Sequence, residues 1–357
     1  MNAVPFDSRS DAMFRSWTGE EILARHDARS GAWMFVCVHS TRLGPAGGGT
    51  RMRSYGTPAA ALTEAMDLAE GMTRKMAAAD LPVGGGKSVI AVPRVPRGAE
   101  RERLLTRYVA LVEALGGTYI TGPDMNTNGD DLEFMRRHSE HVFGSSAGIQ
   151  DGRSIADATA LGTFQGIRTC VEWADRTDSL DGCTVVVQGV GEVGGRLTGM
   201  LVEAGADVVV SDVDEARIAP LVARHGVRTV APDRVLDEPC DVFAPCAMGR
   251  VIGAEDVGRL RARIVAGAAN TQLRGTGTAD ALRAAGILYG PDYIVNSGGA
   301  MHAFGVEMLG WNSAEVLERI RGIDHTLRRV FTSAEQEDVS TEEAAGRIVA
   351  ERLGETA

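Results

Sequence analysis

Two lysines and an aspartate are the residues of this 357-residue chain whose types and spacing best suit chemistry. Lys75 lies on a methionine-striped segment beside Met76, and Lys87 follows the run Gly84-Gly85-Gly86, 12 residues later. If these neighbouring elements share a pocket, like charge and desolvation lower the pKa of one lysine, and an amine so lowered is a general base. The glycines before Lys87 form a platform at a strand entrance where missing side chains would let a substrate approach the amine; an ordinary exposed lysine fits the same spacing. Asp124, after Gly122-Pro123, is a candidate proton carrier or lysine partner, or else a turn-capping aspartate. Gly84–Ser88 is not a phosphate loop, because that pattern requires a glycine where Leu81 stands.

A second constellation begins at Thr184. The β-branched run Thr184-Val185-Val186-Val187-Gln188 leads into Gly189-Val190-Gly191-Glu192-Val193-Gly194, then a helical pattern through Val193, Leu197, Met200 and Leu201, then a strand ending at Ser211-Asp212. Strand, glycine turn, helix and an acid 23 residues after the first glycine make a dinucleotide-binding βαβ unit, where a bare glycine motif would also fit a turn in another α/β sheet. Gly189 permits the turn, Gly191 lets backbone approach a pyrophosphate at the helix N-terminus, and Gly194 lets helix pack on strand. Asp212 would accept from the adenosine ribose hydroxyls and nearby Asp214 would repel a 2′-phosphate, so the expected cofactor is NAD and not NADP.

The elements that position these groups are legible as an alternation. Strands are expected at Ile22–Ala24 and Trp33–Val38 around a turn, at Ser88–Val92 and at Thr118–Thr121. A helix opens at Thr57-Pro58, with cap and first-turn proline, and another covers about 99–115. Further strands at Val242–Ala244, Ile264–Ala266 and Gly286–Tyr289 recur with helices between them, as a doubly wound sheet requires. The stretch 313–332 reads as one long helix, and a last helix follows a capping box at Ser340. The length suits two domains. Glycine is over-represented at 44 residues, in separate clusters rather than repeats. The net charge of −11 repels polyanions, so no nucleic-acid partner is expected. No apolar run suits a membrane span and no signal peptide is evident, so the expected setting is cytoplasmic. Five scattered cysteines and seven histidines offer neither a disulfide framework nor metal-ligand spacing.

Several ordered blocks then carry a resemblance. Leu43-Gly-Pro-Ala-Gly-Gly-Gly-Thr-Arg51, Met72-Thr-Arg-Lys-Met-Ala77, Leu81-Pro-Val-Gly-Gly-Gly-Lys-Ser88 and Thr121-Gly-Pro-Asp-Met-Asn-Thr127 resemble the glutamate, leucine, valine and phenylalanine dehydrogenase family. Phe243–Gly249, Ala266–Asn270 and Asn296–His302 continue it in order, so the likeness runs from about residue 20 to 350. It implies reversible oxidative deamination of an L-amino acid to a 2-oxo acid and ammonia, with NAD taking the hydride. It further implies that Lys75 holds the substrate carboxylate, that Lys87 activates the attacking water, and that Asp124 shuttles protons at the substrate nitrogen. The Pro123 carbonyl would accept from the amine, the Gly48 backbone and Asn270 would orient the carboxylate, and Thr159 would touch the nicotinamide amide. Glu192 and Val193 of the glycine turn, with Cys246, Ala247 and Asn270, complete the expected cofactor contacts; the Cys246 thiol is a small packing group. No metal is implied, and a homo-oligomer is.

Substrate choice rests on four positions. Glutamate-specific members carry a lysine at the position of Gly47, and branched-chain members have larger residues at Gly47, Gly122, Ala300 and Ala303 than this chain does. The lost carbons would admit a ring, unless neighbouring side chains such as Met125 or Met301 fill the space. The expectation is therefore an α/β enzyme of two domains: a substrate and oligomerisation domain over 1–147, joined by a C-terminal helix at about 331–357, and a Rossmann domain over 148–330, with a cleft between. Its substrate would be L-phenylalanine or another aromatic amino acid. The alternatives are a leucine or valine dehydrogenase with a relaxed pocket, or a non-catalytic NAD-binding regulatory protein.

Overall fold

The computed structural model describes residues 13–144, 153–177 and 179–355. The chain divides into two compact units, Met1–Ile149 and Gln150–Ala357; the boundary expected at 147/148 lies outside the described residues.

The first unit is a five-stranded sheet with helices on both faces. Strands β1 (Glu21–Asp27) and β2 (Ala32–Ser40) form the expected antiparallel hairpin. Next come β3 (Ala46–Arg53), helix α1 (Pro58–Ala78), β4 (Gly84–Ala91), α2 (Gly98–Glu113), β5 (Tyr119–Pro123) and α3 (Gly129–Arg136). The spatial order is β1-β2-β4-β3-β5, with β3 parallel to both its neighbours. Thr57 caps α1 by accepting from the Ala60 amide, and Pro58 occupies the first turn, where its missing N–H costs nothing. The apolar stripe Ala61, Leu62, Ala65, Met66 and Ala69 then packs on Phe35, Cys37 and Val89. The opposite sheet face, with Met34, Val36, Met52, Ile90 and Tyr119, packs on Leu104, Leu105, Tyr108 and Val112 of α2. Each fully buried leucine contributes about 2 kcal/mol through burial.

The second unit opens with α4 (Ile155–Asp175), begun by a reciprocal capping box between Ser154 and Asp157. Strand β6 (Thr184–Gln188), α5 (Glu192–Glu203) and β7 (Asp207–Ser211) follow as the sequence predicts, then α6 (Glu215–His225), β8 (Arg228–Thr229) and β9 (Val242–Pro245). The remaining strands are β10 (Ile252–Gly253), β11 (Ile264–Val265), β12 (Leu273–Arg274) and β13 (Leu288–Tyr289), with α7 (Thr278–Ala284) before β13. The main sheet is parallel and ordered β13-β11-β9-β6-β7-β8. Chain order reverses between β6 and β9, so the glycine turn after β6 lies at the switch point where doubly wound sheets bind nucleotides.

Helices α8 (Asp292–Val295), α9 (Gly298–Glu307), α10 (Ser313–Arg321), α11 (Ile323–Glu337) and α12 (Thr341–Leu353) close the chain. Two expectations need correction here. The single helix expected over 313–332 is two helices, α10 and α11, parted at Gly322, the residue of weakest helix propensity in that stretch. The C-terminal segment belongs to the second unit rather than the first. Phe331 of α11 packs on Trp173 of α4 with ring centroids 5.5 Å apart, and the Thr341 hydroxyl donates to the Tyr289 carbonyl at 2.6 Å.

Candidate active site

Strand geometry sorts the residues of the first unit onto two faces. Thr50 of β3, Thr121 of β5 and Tyr108 of α2 form a buried hydroxyl cluster, with the Tyr108 phenol 2.6 Å from Thr50 Oγ1 and 2.8 Å from Thr121 Oγ1. Side chains alternate along a strand, so Gly47, Gly49 and Arg51, like Gly122 and Lys87, point to the other face, the one α1 covers. The candidate groups Lys75, Lys87 and Asp124 are thus on or beneath one helix.

Lys87 is buried, and its ammonium makes an ion pair with Asp124 Oδ2. Asp124 is thus the partner of Lys87, and its Oδ1 also accepts from the Met125 amide at 2.6 Å, as a turn-capping aspartate would. The pair must span from β4 to the end of β5 across β3. It can do so because β3 there is glycine: a Cβ at Gly49 would fall 2.3 Å from the Pro123 carbonyl oxygen and 3.0 Å from Asp124 Cβ. Burial disfavours the Asp124 carboxylate, but the charges of Lys87 and Arg51 outweigh it, and the carboxyl is held well below the usual aspartate range.

The platform before Lys87 has a different purpose from the one its sequence suggests. A Cβ at Gly85 would lie 2.1 Å from the Thr73 amide nitrogen, one at Gly84 2.0 Å from the Ser40 carbonyl oxygen, and one at Gly86 2.8 Å from the Tyr119 ring. The protein's own atoms occupy every one of these spaces. Gly85 lets α1 settle on β4 at Thr73, two residues before Lys75 and two residues from Lys87. Gly48 is held similarly, its carbonyl accepting from the Tyr119 hydroxyl at 2.8 Å.

Gly122 requires a further correction. A Cβ there would fall 2.3–2.7 Å from three atoms of the Phe143 ring. The carbons missing at Gly122 are replaced by an aromatic ring from the chain after β5, whose Phe143 amide donates to the Thr121 carbonyl at 2.8 Å. The vacancy read from Gly122 is therefore filled, and the atoms nearest to it belong to Phe143. Arg51, to which the sequence pattern assigns no role, is placed by the structure beside Asp124, its Nη2 3.3 Å from Asp124 Oδ1. The signal is its place: it follows the glycine run of β3, on the same face as Lys87.

In the second unit the turn behaves as the motif predicts. Gly189 has φ +91°, its amide donates to the Ser211 carbonyl at 2.7 Å, and the Val190 amide donates to Asp212 Oδ2 at 2.8 Å. A Cβ at Gly194 would lie 2.0 Å from the Gly189 carbonyl oxygen, so this glycine sets helix against turn. Gly191 differs, since a Cβ there would meet only Arg217 Nη1, at 3.4 Å. It begins α5 with no side-chain cap, leaving the helix N-terminal amides for an anionic group. At the ends of β6 and β7, Gln188 Oε1 and Ser211 Oγ are buried with no hydrogen-bond partner. This cradle and these polar atoms fit a dinucleotide.

Around the turn, Ala247 packs against Gly189, and Cys246 Cβ lies 3.1 Å from where a Gly194 Cβ would sit. Burial pushes the Cys246 thiol up to about 12, which leaves it protonated and inert. Glu192 and Val193 open α5, and Glu192 pairs with Arg196, which also holds Asp157 at 2.6 Å. Asn270 Oδ1 accepts from Asn296 Nδ2 at 3.0 Å. The Thr159 hydroxyl donates to the Ile155 carbonyl at 2.8 Å and lies against Gly299. Ala303 is buried on α9, and Ala300 on the same helix is partly exposed.

Comparison with known proteins decides the family. Residues 28–141 match the family model of the Glu/Leu/Phe/Val dehydrogenase dimerisation domain, and residues 212–356 match that of the glutamate/leucine/phenylalanine/valine dehydrogenases. The chain belongs to the Glu/Leu/Phe/Val dehydrogenase family. It is an amino acid dehydrogenase, and its cofactor is NAD. Among curated members it is 37% identical to the leucine dehydrogenase of Bacillus subtilis, over 94% of this chain and 91% of that one. It is equally 37% identical to the phenylalanine dehydrogenase of Caldalkalibacillus thermarum, over 99% of this chain and 94% of the relative. The crystal structure of L-tryptophan dehydrogenase from Nostoc punctiforme aligns with a TM-score of 0.79 at 34% identity, covering 96% of this chain and 99% of that one.

Proposed function

We propose that this dehydrogenase oxidatively deaminates an L-amino acid with an aromatic side chain, phenylalanine first. The observation that supports the chemistry is the buried Lys87–Asp124 ion pair beneath the helix that carries Lys75. In this reading Lys75 anchors the substrate carboxylate as a fixed ammonium, helped by the Gly48 backbone and Asn270. The Pro123 carbonyl orients the substrate amine. Asp124, kept ionised, accepts the proton that the amine releases, and Lys87 activates the water that attacks the iminium carbon. NAD, when bound, would supply the acceptor for the Cα hydride. Gly189, Gly191, Glu192 and Val193 would hold its pyrophosphate, with Gly194 packing the helix on the turn, Asp212 would hold its ribose, and Thr159, Cys246, Ala247 and Asn270 would border the nicotinamide.

The preference for an aromatic ring rests on the small residues Gly47, Ala300 and Ala303. Phe143 favours a second reading, a leucine or valine dehydrogenase, because its ring takes up the room freed at Gly122. The match of residues 28–141 to a dimerisation domain supports a homo-oligomer, and five free cysteines suit the cytoplasm. A kinetic panel of phenylalanine, tyrosine, tryptophan, leucine, valine and glutamate with NAD decides the substrate. The aromatic reading requires the highest kcat/KM among the first three; leucine or valine in first place overturns it and establishes the second reading.

A further inference from the structure

Arg51 shares the buried face with the Lys87–Asp124 pair. Its Nη2 lies 3.3 Å from Asp124 Oδ1, its Nη1 is paired with Glu64 of α1, and its side chain is largely buried. The Asp124 carboxylate therefore stands between two cations: Lys87 on Oδ2, and Arg51 on Oδ1 beside the Met125 amide. The four side chains Lys87, Asp124, Arg51 and Glu64 sum to no net charge, which is what a low-dielectric site tolerates.

Resting on the dehydrogenase reading above, we propose that Arg51 is a positioning residue, which with Glu64 as its anchor fixes the Asp124 carboxylate in place and in its ionised form. The physical need is specific. A carboxylate paired with one lysine shares a proton with it whenever that lysine changes protonation state. Arg51 cannot give up its proton, so it keeps Asp124 anionic when Lys87 loses one, and Asp124 stays available as the acceptor for the substrate nitrogen. Glu64 offsets the guanidinium charge, so the cluster does not repel a cationic amine. A guanidinium is suited to this because its planar fork spans two carboxylates in fixed geometry, one on α1 and one after β5.

Among the described residues, the charged groups that act most strongly on Asp124 are Lys87 from β4 and Arg51 from β3. Behind Arg51 come Glu64 from α1 and Tyr55, whose phenol lies among Glu64, Arg51 and Arg53. Among these, Lys87 and Arg51 favour the ionised carboxylate.

The test uses the full-length protein with 13C-carboxyl-labelled aspartate, the Asp124 signal being identified by its loss in Asp124→Asn. Arg51→Gln should raise the Asp124 titration by about one pH unit or more, the shift expected from losing a neighbouring cation, and Arg51→Lys should restore most of it. In steady-state kinetics with L-phenylalanine and NAD, Arg51→Gln should lower kcat by about tenfold or more with KM for the amino acid little changed, because the carboxylate anchor is untouched. Glu64→Gln, at a more exposed site, keeps Arg51 charged but unanchored; it should lower kcat several-fold and leave the Asp124 titration low. An unchanged Asp124 titration in Arg51→Gln, or wild-type kcat in Glu64→Gln, would overturn the proposal. The NMR arm needs no turnover, so a wild-type protein idle on every amino acid would overturn the functional reading while the carboxylate titration still decides the role of Arg51.

Discussion

At Gly122 a missing side chain has two opposite meanings, room for a substrate or room for the protein. The Phe143 ring, 2.3 Å from where a Cβ would stand, decides for the protein. Gly122→Ala should therefore destabilise by about 1–3 kcal/mol through overpacking, and Phe143→Val should relieve most of that cost in the double variant. Urea denaturation of the two singles and the double measures this; additive losses would show that the ring does not occupy the space. Asp124 carries a pH signature. Its folded-state pKa is depressed, so its interactions stabilise fully above the ordinary aspartate value of about 3.9 and are lost as pH falls through the lower folded value. Asp124→Asn leaves Lys87 buried without its counter-charge and should cost about 3–5 kcal/mol at neutral pH. The gap to wild type should narrow by about 1 kcal/mol on reaching pH ~3, and a constant gap over that range would contradict the assignment. Residue types and spacing made Lys75, Lys87 and Asp124 candidates, and the ordered family blocks singled them out. They did not show what fills a glycine's empty side, because that depends on chain distant in sequence: residue 143 for Gly122 and residue 73 for Gly85.

Elements were legible where propensity, pattern and tertiary context agree. The β-branched run Thr184–Gln188 with its glycine turn could be read as strand and helix, and the Thr57-Pro58 start marks α1 to the residue. Strand β3 was missed because Ala46-Gly47-Gly48-Gly49 has the composition of a loop. Neighbours β4 and β5, paired along both of its edges, impose the extended form that its own residues do not favour. The break at Gly322 was missed because the apolar spacing runs on past it. The glycine turn before α5 separates two roles that sequence treats as one motif. Gly194→Ala drives a Cβ into the Gly189 carbonyl and should lower the melting temperature markedly, whereas Gly191→Ala meets only the end of a flexible arginine and should leave it unchanged. Gly191→Ala should instead weaken NAD binding by about tenfold, equal to roughly 1.4 kcal/mol. Calorimetry of NAD binding together with thermal melts separates the two; equal effects of both variants on stability would refute the division.

Over the whole molecule, the two units divide the work. The first holds the lysines and the aspartate; the second holds the glycine turn and Asp212. The charge of −11 gives no attraction to polyanions, and among the described residues no helix is long and apolar enough to cross a membrane. Part of the glycine excess, the most unusual number in the composition, serves close packing between strands, helices and turns, as at Gly85, Gly122 and Gly194, while other glycines face open space or, at Gly191, only the end of Arg217. The measurement that tests the central claim most directly is NAD reduction with L-phenylalanine at alkaline pH, wild type against Lys87→Ala, alongside NAD affinity. The account predicts turnover in the wild type, a fall of about a thousandfold in the variant, and unchanged NAD affinity, since the dinucleotide groups lie in the other unit. A Lys87→Ala protein that keeps wild-type turnover would contradict it.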